Sequence, residues 1–351
     1  MATAEQRPRR ARLRRSDTAG PGIRRVRRGR SFAYVDGDGV AVREPDVLLR
    51  IDELVIPPAW EQVWICPYPG GHIQATGVDQ AGRKQYLYHP RWRERRDQEK
   101  FDDMVRFARA LPALREHVDA RVARDDLSRE HVLAVAVRLL DRGFFRIGSE
   151  DYAVRNETYG LATMKKRHVR LRGDVLLFDY PAKHGKRRVQ AVVDAAVAGT
   201  VQRLKQRRGG GDELLAYKAS GRWVDVRSAD INAFLKDATG LDVSAKDFRT
   251  WGATVLAAVA LGVAGEVPPG SKTARRRVVT RAVNEVAHYL GNTPAVARAS
   301  YIDPRVFDRF ADGQTISPVL VAAAGGDNGD ADGATAIQGP VEGAVLELLE
   351  S

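Results

Sequence analysis

The sequence predicts an α+β protein, in which a small β-rich domain precedes a larger, mostly helical domain. Two observations predict this class. Between residues 31 and 90, short apolar and aromatic runs alternate with Gly, Pro and Asp turns, which is typical of strands. After Pro90 the apolar residues recur at helical spacing over long stretches. The 351 residues suffice for two domains that each bury a hydrophobic core.

Charge and cysteine content narrow the function classes. Lys and Arg number 57 against 45 Asp and Glu, so the formal charge is +12 and the expected partner is a polyanion, first of all nucleic acid. Cys66 is the single cysteine, which excludes an intramolecular disulfide and a Cys-rich zinc site and fits a reducing cytoplasm. The most apolar run, residues 253–264, is too short to span a membrane. We therefore expect a cytoplasmic protein without a metal or membrane anchor.

Composition divides the chain into four segments. Residues 1–30 hold eleven arginines and only two acidic residues, which predicts a disordered basic arm that adds phosphate contacts. Residues 31–90 form the predicted β-rich domain, and residues 91–313 form the predicted helical domain. Residues 314–351 are rich in Ala, Gly and Asp and are expected to be a flexible tail.

The β-rich segment is predicted to start with a hairpin, followed by three further strands. The hairpin joins residues 32–35 to 40–42, and the strands cover 60–66, 72–76 and 84–89. In the last strand Gln85, Tyr86 and Tyr88 offer amide and aromatic groups suited to a DNA groove. Half-buried packing explains each tyrosine equally well.

The helical segment alternates long helices with one strand region. Helices are predicted over residues 91–110, 111–124, 128–142, 191–208, 214–237, 246–263 and 271–290. Residues 169–192 revert to strands around a Lys-rich turn, and the glycines at 209–211 interrupt the helical pattern.

A short helix near the end of this domain leads to Tyr301. Thr293 followed by Pro294 is a favourable N-cap and first-turn pair, so a helix should cover residues 295–300 and end before Asp303. An isolated tyrosine is most often a core or interface residue. A catalytic interpretation therefore depends on what surrounds Tyr301.

Two arginines have apolar neighbours in the sequence. Arg146 lies between Phe145 and Ile147, and Arg249 lies in Asp-Phe-Arg-Thr-Trp-Gly at 247–252. Attack by a tyrosine on a phosphodiester needs cationic donors at the non-bridging oxygens, and a guanidinium supplies two in fixed geometry without a metal. A structural role beside a carboxylate is the alternative for each arginine.

Lys183 and Asn292 complete the candidate set. Lys183 lies in the Lys-rich turn, where it could protonate a leaving oxygen if neighbouring cations lowered its pKa. A solvated basic turn is the ordinary interpretation. Asn292 precedes Tyr301 by nine positions and offers a neutral hydrogen bond.

Together these residues resemble the poxvirus-like bacterial branch of type IB DNA topoisomerases. The resemblance covers roughly residues 51–310 and rests on the order of the five residues and on four words: Phe-Arg-Ile-Gly at 145–148, Asn-Glu-Thr-Tyr-Gly-Leu-Ala-Thr at 156–163, Asp-Phe-Arg-Thr-Trp-Gly at 247–252 and Gly-Asn-Thr-Pro at 291–294. It implies a monomer that clamps around double-stranded DNA in the nucleoid and relaxes supercoils without ATP, a metal or another cofactor.

The resemblance also implies a role for each residue. Arg146, Arg249 and Asn292 would stabilise the phosphorane, Lys183 would protonate the 5′-oxygen, and Tyr301 would form a 3′-phosphotyrosyl bond. Gln85, Tyr86, Tyr88 and Tyr152 match positions that contact DNA in the viral enzyme. Two departures are notable, because Asn292 replaces a histidine and Lys186 is a rival to Lys183 as the general acid.

Two other classes fit part of the pattern. Tyrosine recombinases have a similar fold and the same Arg-Lys-Arg-Tyr set, but they usually show a Leu-Gly-His word where this chain has Leu-Gly-Asn. The β-rich front domain of this chain resembles that of the topoisomerases instead. A non-catalytic basic DNA-binding protein would explain the charge but not five placed residues.

Overall fold

The computed structural model describes residues 12–124, 126–265, 271–325 and 338–351. The chain divides into two compact units between Lys100 and Phe101. A β-sheet unit is followed by a mostly helical one, which confirms the predicted α+β class. The change from strands to helix occurs at Pro90, as the change in sequence period predicts.

The N-terminal unit is built on a five-stranded antiparallel sheet of order β2-β1-β3-β4-β5. Its elements are β1 (Ile23–Arg28), β2 (Ser31–Val35), α1 (Pro45–Glu53), β3 (Glu61–Ile65), β4 (Ile73–Val78) and β5 (Lys84–Tyr88). One face carries Ile23, Ile65 and Ala75, which form a core with Ile51 of α1. Because side chains alternate along a strand, Arg24, Trp64, Thr76 and Tyr86 line the other face.

The prediction of a disordered arm over residues 1–30 is wrong where the structure describes this segment. Strand β1 lies within it and pairs with β2 and β3. Ile23 is buried, and Arg25 donates hydrogen bonds to the carbonyls of Pro57 and Trp60, 3.0 and 2.6 Å away. One apolar face is enough to hold a strand, so a high arginine content does not prevent pairing. The predicted hairpin is correspondingly reduced, because β2 pairs mainly with β1 and reaches residues 40–42 only through a Val35–Ala41 bridge. Residues 1–11 lie outside the described part.

The C-terminal unit contains the remaining elements. They are α2 (Pro90–Val122, which begins in the first unit), α3 (Arg129–Gly143), α4 (Glu150–Asn156), β6 (Val169–Arg172), β7 (Val175–Pro181), β8 (Arg187–Val193), α5 (Ala195–Gln206), β9 (Ala216–Ala219), β10 (Arg222–Asp225), α6 (Ser228–Thr239), α7 (Ala245–Val263), α8 (Lys272–Leu290), α9 (Pro294–Ser300), α10 (Arg305–Ala311), α11 (Ser317–Gly325) and α12 (Pro340–Glu350). Strands β6, β7 and β8 form an antiparallel sheet, and β9 pairs with β10.

Two predicted helices differ from the structure. The helices predicted on either side of residue 111 are one, since Pro112 lies inside α2 without ending it. The helix predicted over 214–237 begins only at Ser228, because the residues before it form the β9–β10 hairpin. The turn of that hairpin contains Ser220 and Gly221 with φ of 47° and 78°, a left-handed conformation that is incompatible with a helix.

The predicted flexible tail over residues 314–351 is wrong for α11 and α12. Val341, Val345 and Leu349 recur at helical spacing and are buried in the main core. Glu342 accepts hydrogen bonds from Arg115 of α2 and Trp251 of α7, so the helix is held by polar contacts as well. Because the segment as a whole is rich in Ala and Gly, its composition does not indicate the amphipathic helix α12 at its end. Residues 326–337 lie outside the described part.

Candidate active site

Tyr301 is positioned by the short helix α9. The Thr293 hydroxyl accepts a hydrogen bond from the backbone N–H of Val296 at 3.3 Å, which confirms the predicted N-cap. At the other end, the Tyr301 N–H donates to the carbonyl of Ala297 at 3.0 Å. Ile302 is fully buried and Tyr301 is half-buried, so the backbone is anchored while the ring lies at the protein surface.

Arg249 of α7 lies against the Tyr301 ring. Its guanidinium carbon is 5.3 Å from the ring centroid, and its two terminal nitrogens donate to the carbonyls of Phe144 and Leu290. The arginine is 3% exposed. Gly252, one turn further along α7, makes room for Phe144, because a Cβ there would lie 2.4 Å from the Phe144 ring. The glycine in the sequence motif around Arg249 therefore allows α7 to pack closely against the end of α3.

Arg146 follows α3, and its backbone is held by the chain that crosses it. Leu161 donates its N–H to the Arg146 carbonyl at 2.8 Å. The two chains approach so closely at Gly148 and Gly160 that a Cβ on Gly160 would lie 2.3 Å from the Gly148 nitrogen. This explains why glycines occur in both sequence words. The Arg146 side chain donates to the Gly291 carbonyl at 3.1 Å and to Asn292 Oδ1.

The turn between α8 and α9 collects three guanidinium groups. The consecutive carbonyls of Tyr289, Leu290 and Gly291 accept from Arg188, Arg249 and Arg146, respectively. These carbonyls end α8, where Gly291 adopts φ of 60° and the helix leaves acceptors unsatisfied. The partial negative charge of a helix C-terminus favours cations at this position.

This arrangement leaves hydrogen-bond donors free for a ligand. Arg249 Nε and Asn292 Nδ2 are buried and have no hydrogen-bond partner within the described residues. Over the same part of the chain, no carboxylate forms an ion pair with Arg146, Arg188 or Arg249. Buried donors and charges normally find partners inside a protein. The site is therefore suited to an anion supplied from outside.

Charge also shifts the acidity of the tyrosine. Burial raises the pKa of Tyr301, but the charges of Arg249, Arg146 and Lys246 outweigh this and hold it below its ordinary value. Burial lowers the pKa of Arg249, and the neighbouring Arg146 charge lowers it further. An anion bound here would relieve the repulsion between the arginines.

The structure does not bring Lys183 into the cluster. Lys183 and Lys186 are both exposed in the turn between β7 and β8, and neither forms a hydrogen bond with the arginines or Tyr301 among the described residues. The turn is closed by a hydrogen bond from the Ala182 N–H to the Lys186 carbonyl at 2.8 Å. The choice between the two lysines stays open.

The four residues predicted to contact DNA differ in placement. Tyr86 and Tyr88 stack on the outer face of the N-terminal sheet with ring centroids 6.1 Å apart, and they are 41% and 39% exposed. Gln85 lies on the opposite face of β5, and its amide donates to Asp79 at 2.8 Å. Tyr152 is in α4, and its side chain lies outside the described part.

Arg188 is a site residue that the sequence reasoning missed. It follows Arg187 in a strand, and nothing in the local pattern separates the two. Only the register of the β7–β8 pair, which places Arg188 opposite the buried Tyr180, shows which of them is directed toward the site.

The described residues show neither a metal-binding cluster nor a membrane-spanning helix. The described ranges contain no cluster of three His, Cys, Asp or Glu side chains that could hold a metal ion. Within the same ranges no helix is long and apolar enough to cross a membrane.

Two family profiles match the chain. The catalytic core of eukaryotic DNA topoisomerase I matches residues 89–313, and the N-terminal domain of bacterial DNA topoisomerase IB matches residues 31–79. The first match covers most of the helical unit and contains Tyr301, Arg146, Arg249, Lys183 and Asn292. Fold and profiles thus define an enzyme of the DNA topoisomerase I class.

Individual relatives narrow the class. The DNA topoisomerase 1B of Acanthamoeba polyphaga mimivirus is 28% identical over 292 residues, which cover 80% of this chain and 85% of the relative. The corresponding proteins of monkeypox virus and vaccinia virus are each 22% identical over 271 residues, 74% of this chain and 78% of theirs. The chain belongs to the type IB DNA topoisomerase family.

Proposed function

We propose that this enzyme relaxes supercoiled duplex DNA by cutting one strand through a 3′-phosphotyrosyl intermediate and resealing it without ATP. The observation that carries the proposal is the contact between the Tyr301 ring and Arg249, within a cluster of guanidinium groups that have no carboxylate partner in the described structure. Such a cluster is suited to the charge that develops on a phosphate under attack.

The chemistry conserves the energy of the broken bond. The Tyr301 oxygen forms a bond to phosphorus as the bond from phosphorus to the 5′-oxygen breaks, and the phenolic proton is lost to solvent. A hairpin lysine, Lys183 in our assignment, protonates the departing oxygen. Attack by the 5′-hydroxyl reverses both steps, so religation needs no nucleotide.

Each arginine has a separate task at the phosphorane. Arg249 offers its buried Nε, and Asn292 offers Nδ2, to the non-bridging oxygens. Arg146 binds Asn292 Oδ1 and thereby fixes the orientation of the amide, which leaves the buried Nδ2 as the available donor. This explains how a neutral asparagine can serve where the viral relatives carry a histidine, since it supplies a donor without a charge.

The outer face of the N-terminal sheet is the proposed DNA surface of that unit. It presents the stacked Tyr86 and Tyr88 together with Arg24 and Arg28, and β-ribbons with basic and aromatic side chains bind DNA grooves and phosphates. Gln85 lies on the other face and would have to leave Asp79 to contact a base. We further propose that the protein acts as a monomer that closes around duplex DNA and is associated with the nucleoid.

A plasmid relaxation assay tests the function. Purified protein with EDTA and without ATP should relax supercoils of both signs. Strict dependence on ATP or Mg²⁺ would remove the proposal, whereas mild stimulation by Mg²⁺ is compatible with it.

The identity of the nucleophile needs its own test. Tyr301→Phe removes one oxygen and should stop covalent cleavage while DNA affinity and folding stay nearly unchanged. Tyr86→Phe and Tyr88→Phe are matched controls that should retain covalent chemistry. Mass spectrometry of the peptide trapped on a nicked suicide substrate gives the answer, and attachment at a tyrosine other than 301 would overturn the assignment.

A further inference from the structure

Arg188 occupies an unusual position for a strand arginine. It pairs with Tyr180 across the β7–β8 hairpin, and it is half-buried. Its guanidinium donates to the Tyr289 carbonyl and to Gln190 Oε1. Its Nη1 lies beside the α8–α9 turn, since a Cβ built on Gly291 would be 2.7 Å away.

Neighbouring charges make this position costly. Arg146 Nη1 is 3.8 Å from the same point at Gly291, so two guanidinium groups flank one residue. Burial lowers the pKa of Arg188, although the charge of Tyr180 opposes this, and the repulsion of Arg146 lowers it further. A half-buried cation next to another cation destabilises the fold, so its presence here indicates a role other than stability.

The contacts of Arg188 connect two parts of the proposed active site. Its backbone belongs to the hairpin whose tip carries Lys183, and its side chain is bound to the turn that carries Asn292. Among the described residues, no other side chain of the hairpin segment 181–189 donates a hydrogen bond to that turn. The turn itself keeps Arg146 and Arg249 if Arg188 is removed. Loss of Arg188 therefore affects the hairpin more than the turn.

We propose that Arg188 is a positioning residue that holds the Lys183 hairpin against the α8–α9 turn, so that the lysine reaches the leaving 5′-oxygen. The proposal rests on the function given above, since it assumes that a hairpin lysine is the general acid. Arg187, the preceding residue, serves as a matched control because its side chain is exposed and pairs with Asp179 at 2.6 Å on the hairpin itself.

Substrate chemistry separates this role from direct contact with the phosphate. A substrate with sulfur in place of the 5′-bridging oxygen releases a thiolate, and a thiol is far more acidic than the alcohol released from the oxygen substrate. The thiolate needs no proton to depart. A variant that has lost only general acid catalysis should therefore recover its rate on the sulfur substrate.

The experiment measures single-turnover cleavage of oxygen and sulfur substrates by wild type and by Arg188→Ala, Arg187→Ala, Lys183→Ala, Lys186→Ala and Arg146→Ala. On the oxygen substrate Arg188→Ala should be slower by about 100-fold, the effect expected from misplacing a catalytic group by about 1 Å. On the sulfur substrate its cleavage rate should come within about threefold of the wild-type rate. The same recovery is expected for whichever of Lys183→Ala and Lys186→Ala removes the general acid. Arg146→Ala should stay slow on both substrates, and Arg187→Ala should resemble wild type on both.

Two outcomes would overturn the proposal. If Arg188→Ala stays slow on the sulfur substrate, the arginine acts at the phosphate and not through the lysine. If Arg188→Ala cleaves the oxygen substrate at the wild-type rate, the hydrogen bond from Arg188 to the Tyr289 carbonyl has no catalytic role. Thermal unfolding and DNA affinity, both expected near wild type, show that the variant is folded and bound. Failure of the proposed function appears separately, as absence of cleavage by the wild-type protein or as normal cleavage by Tyr301→Phe.

Discussion

Two arginines in the helical unit differ in whether carboxylates balance their charge. Arg115 of α2 binds both oxygens of Asp141, at 2.8 and 3.0 Å, and both oxygens of Glu342, at 2.6 and 3.0 Å. Arg249 of α7 binds two carbonyl oxygens and has Arg146 as a charged neighbour. The first cation is neutralised within the fold and the second is not.

The pKa values of the two arginines follow this difference. Burial alone would lower the pKa of Arg115, but Glu342 and Asp141 raise it above its ordinary value. Burial and Arg146 lower the pKa of Arg249. Removing Arg115 would therefore leave two carboxylates without a counter-charge, whereas the charge of Arg249, which no described carboxylate balances, is available to an external anion.

The largest expected effect is on catalysis. Arg249→Ala should slow single-turnover cleavage by about 10³-fold, because it removes donors aimed at a charge that develops in the transition state. Arg115→Ala should cleave within about threefold of wild type at temperatures where it is folded. Slow cleavage by an Arg115→Ala variant with a normal unfolding temperature would show that Arg115 also serves catalysis, which contradicts the distinction between the two sites.

Stability should respond in the opposite order. Arg115→Ala leaves Asp141 and Glu342 without their cation and should lower the free energy of unfolding by about 2 to 4 kcal/mol, somewhat less than the roughly 3 to 5 kcal/mol for a fully buried ion pair. Urea titration of wild type and variant measures it. Glu342→Gln keeps the shape, removes one charge and leaves the Arg115–Asp141 pair, so it should lose less. Equal losses would show that the Glu342 charge accounts for the whole effect.

Asn292 tests the contribution of a neutral donor within the uncompensated site. Asn292→Ala should slow cleavage by about fivefold, because one neutral hydrogen bond contributes about 1 kcal/mol. Arg146→Ala removes a charge as well and should be considerably slower. If the two variants cleave at the same rate, Arg146 acts mainly by orienting Asn292.

An external anion should stabilise the enzyme through the uncompensated site. Inorganic phosphate at about ten times its dissociation constant should raise the free energy of unfolding by about 1.4 kcal/mol in wild type and in Arg115→Ala, because it binds only the folded state. The gain should be absent in Arg249→Gln. Sodium chloride at matched ionic strength is the control, and an equal gain from chloride would indicate screening instead of a site.

The smallest effect concerns pH. Because the proposed nucleophile is the tyrosinate of Tyr301, cleavage should rise with pH up to the pKa of this residue, which the arginines and Lys246 hold below its ordinary value of 10. Lys246→Ala raises that pKa and should move the profile to higher pH, with slower cleavage below the midpoint and an equal plateau above it. Lys246→Arg keeps the charge and should leave the midpoint in place. A downward shift in Lys246→Ala would contradict the assigned electrostatics.

Local signals in the sequence account for much of the fold and for part of the site. The Thr293 cap, the start of α7 near Arg249 and the change of period at Pro90 each depend on a few adjacent residues, and each is seen in the structure. Two of the predictions that failed involve long-range contacts. Strand β1 in the arginine-rich segment and helix α12 in the tail are stabilised by partners far away in sequence, as the Arg115–Glu342 pair illustrates.

The sequence by itself determined which chemical groups are present and where their helices begin, because capping and periodicity act within a few residues. The sequence also shows the glycines at 148, 160 and 252, where other parts of the chain can approach closely, but it does not show which parts those are. Tertiary structure alone decided that Arg188, Arg249 and Arg146 meet consecutive carbonyls of one turn, since these arginines come from three separate elements. It also decided that no described carboxylate joins them, and the absence of that partner is what leaves their charge available to a phosphate.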